Sequence, residues 1–201
     1  MLVLNKFRSE FQEILDRMSK PLIKIGVKPW MLTLFSLILS LLMFFILSSR
    51  DGKETRLLLA IILFSISAIF DALDGTLARM TGRVSKLGAF LDSFCDRIGE
   101  SLVLLGLMIG GFVSWIWGTF FLITSMLISY VRARGEGLNI DLRGIGLMER
   151  AERIILILIG SFLWFLHKRA LNFMIMLGSL LNFITIIQRV NHIINELKKH
   201  S

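Results

Sequence analysis

Six long apolar runs, each bounded by charged or turn-forming residues, constrain this chain more than any other feature. They cover about residues 29–49, 57–80, 84–110, 113–131, 151–166 and 171–190. A bilayer core needs about 20 apolar residues per helical span, and backbone polar groups inside lipid must be satisfied within the helix itself. The pattern therefore predicts an all-α membrane protein with six transmembrane helices. The hydrophobic content of 55% supports that reading over a soluble core. No Gly/Ser linker, low-complexity tract or repeat divides the chain, so residues 1–201 are expected to form a single membrane domain. The net charge of +8 raises the possibility of a nucleic-acid partner. Membrane topology accounts for it better, because Lys and Arg collect in cytoplasmic loops, and no nucleic-acid partner is expected.

Ahead of the first run, Leu4, Phe7, Phe11, Ile14, Leu15, Met18 and Leu22 recur at helical spacing, with charged residues on the other face. Residues 1–27 are thus predicted to be a juxtamembrane amphipathic helix lying in the bilayer interface. Residues 28–201 then form the six-helix bundle, opened by Pro29, which a first helical turn tolerates. Six spans put both termini on one side. That side also carries the basic 79–86 turn and the arginine-rich 132–153 stretch. The positive-inside rule places it in the cytoplasm of a multi-pass cell-membrane protein.

The second and third runs contain carboxylates. Asp71 and Asp74 lie three residues apart, and Asp92 and Asp96 four apart, so each pair shares one helix face. The intervening turn can bring all four together near the cytoplasmic end. Even a mild scale charges roughly 2.5–3.5 kcal/mol for an acidic residue at mid-membrane, and four carboxylates also repel one another. Divalent cations such as Mg²⁺ or Mn²⁺, which favour hard oxygen ligands, relieve both penalties. Gly75, Ala78 and Gly88 leave room for close helix approach or for a ligand such as a pyrophosphate. On these residues alone, metal-assisted catalysis and a proton or cation transporter both remain open.

The stretch also resembles a known family. Asp71, Asp74, Gly75, Ala78, Arg79, Gly88, Asp92 and Asp96 fill every fixed position of D-x2-D-G-x2-A-R-x8-G-x3-D-x3-D, the signature of the CDP-alcohol phosphotransferases. The resemblance implies six spans, an N-terminal amphipathic helix and a homodimer. It implies that Asp71, Asp74, Asp92 and Asp96 hold two Mg²⁺ or Mn²⁺ ions, with Asp96 also the general base on the acceptor hydroxyl. Gly75, Ala78 and Arg79 would contact the nucleotide of a CDP-lipid. Thr33 is a further nucleotide candidate, although such a Thr also bonds readily to its own helix. One departure is Trp30, which stands where many members carry Asn.

The acceptor is read from Ser129-Tyr130-Val131-Arg132-Ala133-Arg134-Gly135-Glu136, from Glu149-Arg150-Ala151-Glu152-Arg153 and from Gln188-Arg189. These segments are similar to the inositol-phosphate branch of the family, the phosphatidylinositol-phosphate and archaetidylinositol-phosphate synthases. Arg132 and Gly135 depart mildly from the bacterial pattern, where Lys and Ala are common. The resemblance implies that Arg132, Arg153 and Arg189 bind the phosphate of inositol 1-phosphate, as suits an anionic acceptor. The expected reaction transfers a phosphatidyl-type group, diacylglycerol or archaeol, from the CDP-lipid to inositol 1-phosphate and releases CMP. Glycerol 3-phosphate is the alternative acceptor.

Overall fold

Seven helices make up the regular structure of the computed structural model, which describes residues 2–199, with side chains from Gln12 onward. They are α1 (Leu2–Lys24), α2 (Pro29–Ser48), α3 (Lys53–Met80), α4 (Lys86–Ile109), α5 (Trp115–Glu136), α6 (Arg150–Leu166) and α7 (Ala170–Lys199). Among the described residues α2, α3, α5 and α7 are long and apolar enough to cross a bilayer, and the chain reads as a multi-pass membrane protein. The other two predicted spans are helical but fall short of that measure. In α4 the first half carries Lys86, Asp92, Asp96 and Arg97, and Glu100 follows within a turn. α6 has 17 residues, a length of about 26 Å against a hydrocarbon core of about 30 Å, and its first turn is charged.

Helix ends are set by backbone chemistry rather than by where apolar character stops. α5 continues to Glu136, past the predicted end near Val131, and so carries Arg132. α7 runs unbroken to Lys199, past the end of the sixth apolar run near residue 190. At the start of α5, Ser114 is the N-cap and its hydroxyl accepts from the Trp117 N–H, satisfying one orphan donor of the first turn.

The helices pack into two units. The first comprises the residues up to Ile46 and Ile62–Val103. Its core is Leu15 of α1 with Leu32, Leu73 and Leu77, flanked by Leu22, Ile23, Val27 and Phe70. One side of the predicted amphipathic face therefore packs on α2 and α3, while Ile14 and Met18 are exposed. The side chains of Leu4, Phe7 and Phe11 lie outside the described residues. α2 and α4 approach closely at Gly99, where a Cβ would lie 2.8 Å from the Ser40 hydroxyl.

The second unit comprises Leu47–Ile61 and the residues from Leu104 onward. Here α7 packs against both α5 and α6. In lipid the hydrophobic effect does not drive helices together, so small residues and interhelical hydrogen bonds carry the association. Gly160 and Gly178 provide the close approaches, and the buried Asn182 amide donates to Thr124 and Ser125 at 3.2 and 3.1 Å. A Cβ on Gly178 would stand 2.6 Å from Phe121 and 3.1 Å from Leu156. Gly178→Ala should therefore destabilise the protein by about 1–3 kcal/mol through overpacking, although Ala is the better helix former by up to about 1 kcal/mol. Thermal unfolding in detergent checks this; a variant as stable as the wild type would refute it.

Candidate active site

The end of α3 and the start of α4 are joined by a tight turn. Gly82 adopts φ +63°, a left-handed conformation that favours glycine. The Gly82 and Arg83 N–H groups donate back to the Arg79 and Ala78 carbonyls, closing α3 in a Schellman-type cap. Ser85 then caps α4, its hydroxyl accepting from the Gly88 N–H at 3.0 Å. This local chemistry turns the chain back within a few residues and sets Asp92 opposite Asp71 and Asp74.

Asp71, Asp74 and Asp92 each offer a carboxylate oxygen, and all three lie within 4.8 Å of one another. Asp74 is buried and the other two are half-buried. Asp96, one turn beyond Asp92, is outside this trio; its carboxylate pairs with Arg97 at 3.6 Å and is 10% exposed. Three hard oxygen donors at this separation fit a divalent cation. The Thr33 hydroxyl donates to Asp74 Oδ2 at 2.7 Å, while the Pro29 carbonyl of its own helix is 3.4 Å away. Its principal partner is therefore the carboxylate, 41 residues distant, rather than its own backbone.

A cavity of about 360 Å³ adjoins the trio. It is lined by every predicted nucleotide residue, Thr33, Gly75, Ala78 and Arg79, together with Asp74, Gly88 and Asp92. A Cβ on Gly75 would meet only the Arg79 guanidinium, at 3.5 Å, so Gly75 keeps space open in the cavity. Arg79 lies along its own helix, donating to the Thr76 hydroxyl at 3.0 Å; Gln12 of α1 reaches the same hydroxyl. Trp30, Arg83 and Ser85 also line the cavity. The sequence carries no clear signal for them: Arg83 reads as a topology charge and Trp30 as a departure from the family pattern.

In the second unit, Arg132 comes from the last turns of α5, Arg153 from the first turn of α6 and Arg189 from within α7. Arg132 is exposed and pairs with Glu136 at 2.9 Å. Arg153 and Arg189 are 1% and 2% exposed. Arg189 donates to the Ile145 and Ile128 carbonyls at 2.8 and 3.1 Å and lies 3.7 Å from Glu149. Arg132, Arg153, Glu136 and Glu149 all act on it electrostatically. The structure thus gathers the three arginines, and burial of two of them exceeds what topology alone requires, because buried guanidinium groups need partners. In the adjoining loop Arg143 donates to Asp141 from Nε and Nη2, which holds that exposed carboxyl down at about 2.

The sequence profile of the CDP-alcohol phosphatidyltransferases matches residues 27–187. The chain belongs to this family. It is 38% identical over 188 residues to the archaetidylinositol phosphate synthase of Pyrococcus horikoshii, covering 94% of this chain and 95% of the relative. Its fold matches two crystal structures of the phosphatidylinositol phosphate synthase of Mycobacterium tuberculosis, each with TM-score 0.77. One has CDP-DAG bound, at 27% identity and covering 90% of this chain and 94% of that one. The other is a complex with manganese and citrate, at 26% identity and covering 89% and 88%. Family membership decides between the two chemistries that the carboxylates left open: the chain is a CDP-alcohol phosphotransferase of phospholipid synthesis, not a transporter.

Thr33→Val keeps the shape and removes the donor to Asp74. Hydrogen bonds to charged groups contribute about 1.5–3 kcal/mol, so the variant should bind Mn²⁺ roughly tenfold or more weakly in a direct titration. CMP release by the wild type should stop in excess chelator and return with Mg²⁺ or Mn²⁺. An unchanged titration for Thr33→Val would disprove the coupling, and turnover that survives chelation would disprove the metal requirement.

Proposed function

We propose that this enzyme transfers the phosphate-linked lipid of a CDP-lipid to inositol 1-phosphate, giving a phosphoinositol-phosphate lipid and CMP. The observation that carries the acceptor assignment is the gathering of Arg132, Arg153 and Arg189, two of them buried, from three separate helices. A neutral alcohol needs no such concentration of positive charge, whereas a phosphomonoester does. The names of the relatives point the same way.

In this reading the inositol hydroxyl oxygen attacks the phosphorus that bears the lipid. A new P–O bond forms, the bond to the CMP phosphate oxygen breaks, and the hydroxyl proton passes to Asp96. Asp71, Asp74 and Asp92 hold divalent cations, with Asp96 beside them. When bound, such ions neutralise the pyrophosphate and the CMP leaving group. The manganese in the mycobacterial relative supports the choice of Mg²⁺ or Mn²⁺, and two ions suit the carboxylate count. Gly75, Ala78, Arg79 and Thr33 hold the nucleotide in the adjoining cavity, where CDP-DAG bound to the relative is the precedent for a CDP-lipid. The whole chain acts as one catalytic domain with six membrane crossings, α1 in the interface and both termini cytoplasmic, and it works as a homodimer. The distribution of Lys and Arg supports the orientation.

Replacing Arg132, Arg153 or Arg189 singly by Gln should raise KM for inositol 1-phosphate about tenfold or more and leave KM for the CDP-lipid nearly unchanged. Asp96→Asn should instead lower kcat by roughly 10²–10⁴ with little effect on CDP-lipid binding. The assay is CMP release with a panel of acceptors. Wild-type constants in all three Arg variants, or a preference for free inositol or glycerol 3-phosphate, would overturn the acceptor assignment. Near-normal turnover in Asp96→Asn would remove it as the base.

A further inference from the structure

Between α5 and α6 the chain crosses residues 137–149 without a helix, yet its last part is held tightly to α7. The agent is Thr185, whose side chain is fully buried. Its hydroxyl oxygen accepts from two consecutive backbone N–H groups, Leu147 at 3.1 Å and Met148 at 3.0 Å. The same hydroxyl donates to the Leu181 carbonyl at 2.9 Å. One donor and two acceptor positions are all a hydroxyl has, so this group is saturated.

The methyl group of Thr185 is used as well. Gly146 has φ +114°, and a Cβ there would collide with Thr185 Cγ2. Both the backbone conformation and the contact require glycine. One helical turn further along α7, Arg189 takes the carbonyl of Ile145, the residue before Gly146. The strap ends at Glu149, which lies 3.7 Å from Arg189 and is also the N-cap residue of α6. Arg153 lies in the opening turns of that helix.

We propose that Thr185 and Gly146 form a positioning pair for the acceptor. By fixing residues 145–149 along α7, they set the guanidinium of Arg189 and the point from which α6 carries Arg153. The proposal rests on the reading of those arginines as the acceptor-phosphate site. Thr185 touches no substrate; it acts through the strap. Both halves of its side chain are needed, the hydroxyl for the two N–H groups and the methyl for the fit against Gly146.

The test compares Thr185→Val, which keeps the shape and loses the hydroxyl, with Thr185→Ser, which keeps the hydroxyl, and with Arg189→Gln. KM and kcat are measured on the full-length enzyme for inositol 1-phosphate and for the CDP-lipid. Thr185→Val should raise KM for inositol 1-phosphate about tenfold and leave KM for the CDP-lipid in place, and Thr185→Ser should restore most of the loss. If Arg189→Gln raises that KM and Thr185→Val does not, or if Thr185→Val affects both substrates equally, the positioning role is wrong while the acceptor site stands. If neither variant moves it, the acceptor reading falls and the positioning role with it. Should Thr185→Val not fold, hydrogen exchange on the wild type supplies the decision. Saturating inositol 1-phosphate should slow exchange at the Leu147 and Met148 amides, and no change there would overturn the proposal.

Discussion

Three carboxylates with oxygens inside 4.8 Å of one another repel each other, and on largely apolar helices that charge needs an opposing one. Much of the first unit is arranged around that requirement. The turn at Gly82 doubles the chain back so that α4 can present Asp92 to α3. Thr33 is taken from α2 to donate to the most buried of the three. Gly75, Ala78 and Gly88 keep side chains out of the adjoining space. An acidic cluster that takes the Thr33 hydroxyl as a donor and borders an open cavity is suited to receive cations together with a polyphosphate, whose charges offset each other on arrival.

The second unit meets the opposite problem, buried positive charge, by different means. Arg189 lies among backbone carbonyls, with the Glu149 carboxylate 3.7 Å away and Glu136 also acting on it. A guanidinium has five N–H donors in a fixed fork, and carbonyls can occupy some of them without cancelling the charge. Its net positive character therefore survives burial, which a fully matched ion pair would remove. Arg132, exposed and paired within its own helix, is the adaptable member of the three.

Local periodicity made part of this arrangement legible from residues alone. Asp71 with Asp74, and Asp92 with Asp96, announce shared helix faces by spacing, and the Gly88 and Arg79 positions complete a pattern short enough to read directly. The apolar runs likewise revealed that the chain is helical and membrane-bound. Contacts across long separations left no such trace. The Thr33–Asp74 bond joins residues 41 apart, and Thr33 looks equally suited to bonding its own helix. The grip of Thr185 on Leu147 and Met148 spans a similar distance and involves backbone donors, which carry no sequence signal. Helix ends escape the apolar pattern for a related reason. Apolar character tracks lipid, whereas the helix follows backbone hydrogen bonding, so α5 and α7 run on into charged residues.

The length of α7 has a geometric consequence. From Ala170 to Gln188 the helix carries no charged side chain, and the first charge is Arg189. The rise from Ala170 to Arg189 is about 28 Å, close to the thickness of a bilayer's hydrocarbon core, about 30 Å. A rod that enters the membrane at its first residue delivers this guanidinium to the far polar boundary. The helix is thereby a ruler, and the depth of the arginine cluster is gauged by the membrane itself. Inserting or deleting one residue in its apolar stretch would rotate Arg189 by about 100° around the axis as well as shift it by about 1.5 Å, so its depth and its facing are locked to one number of residues.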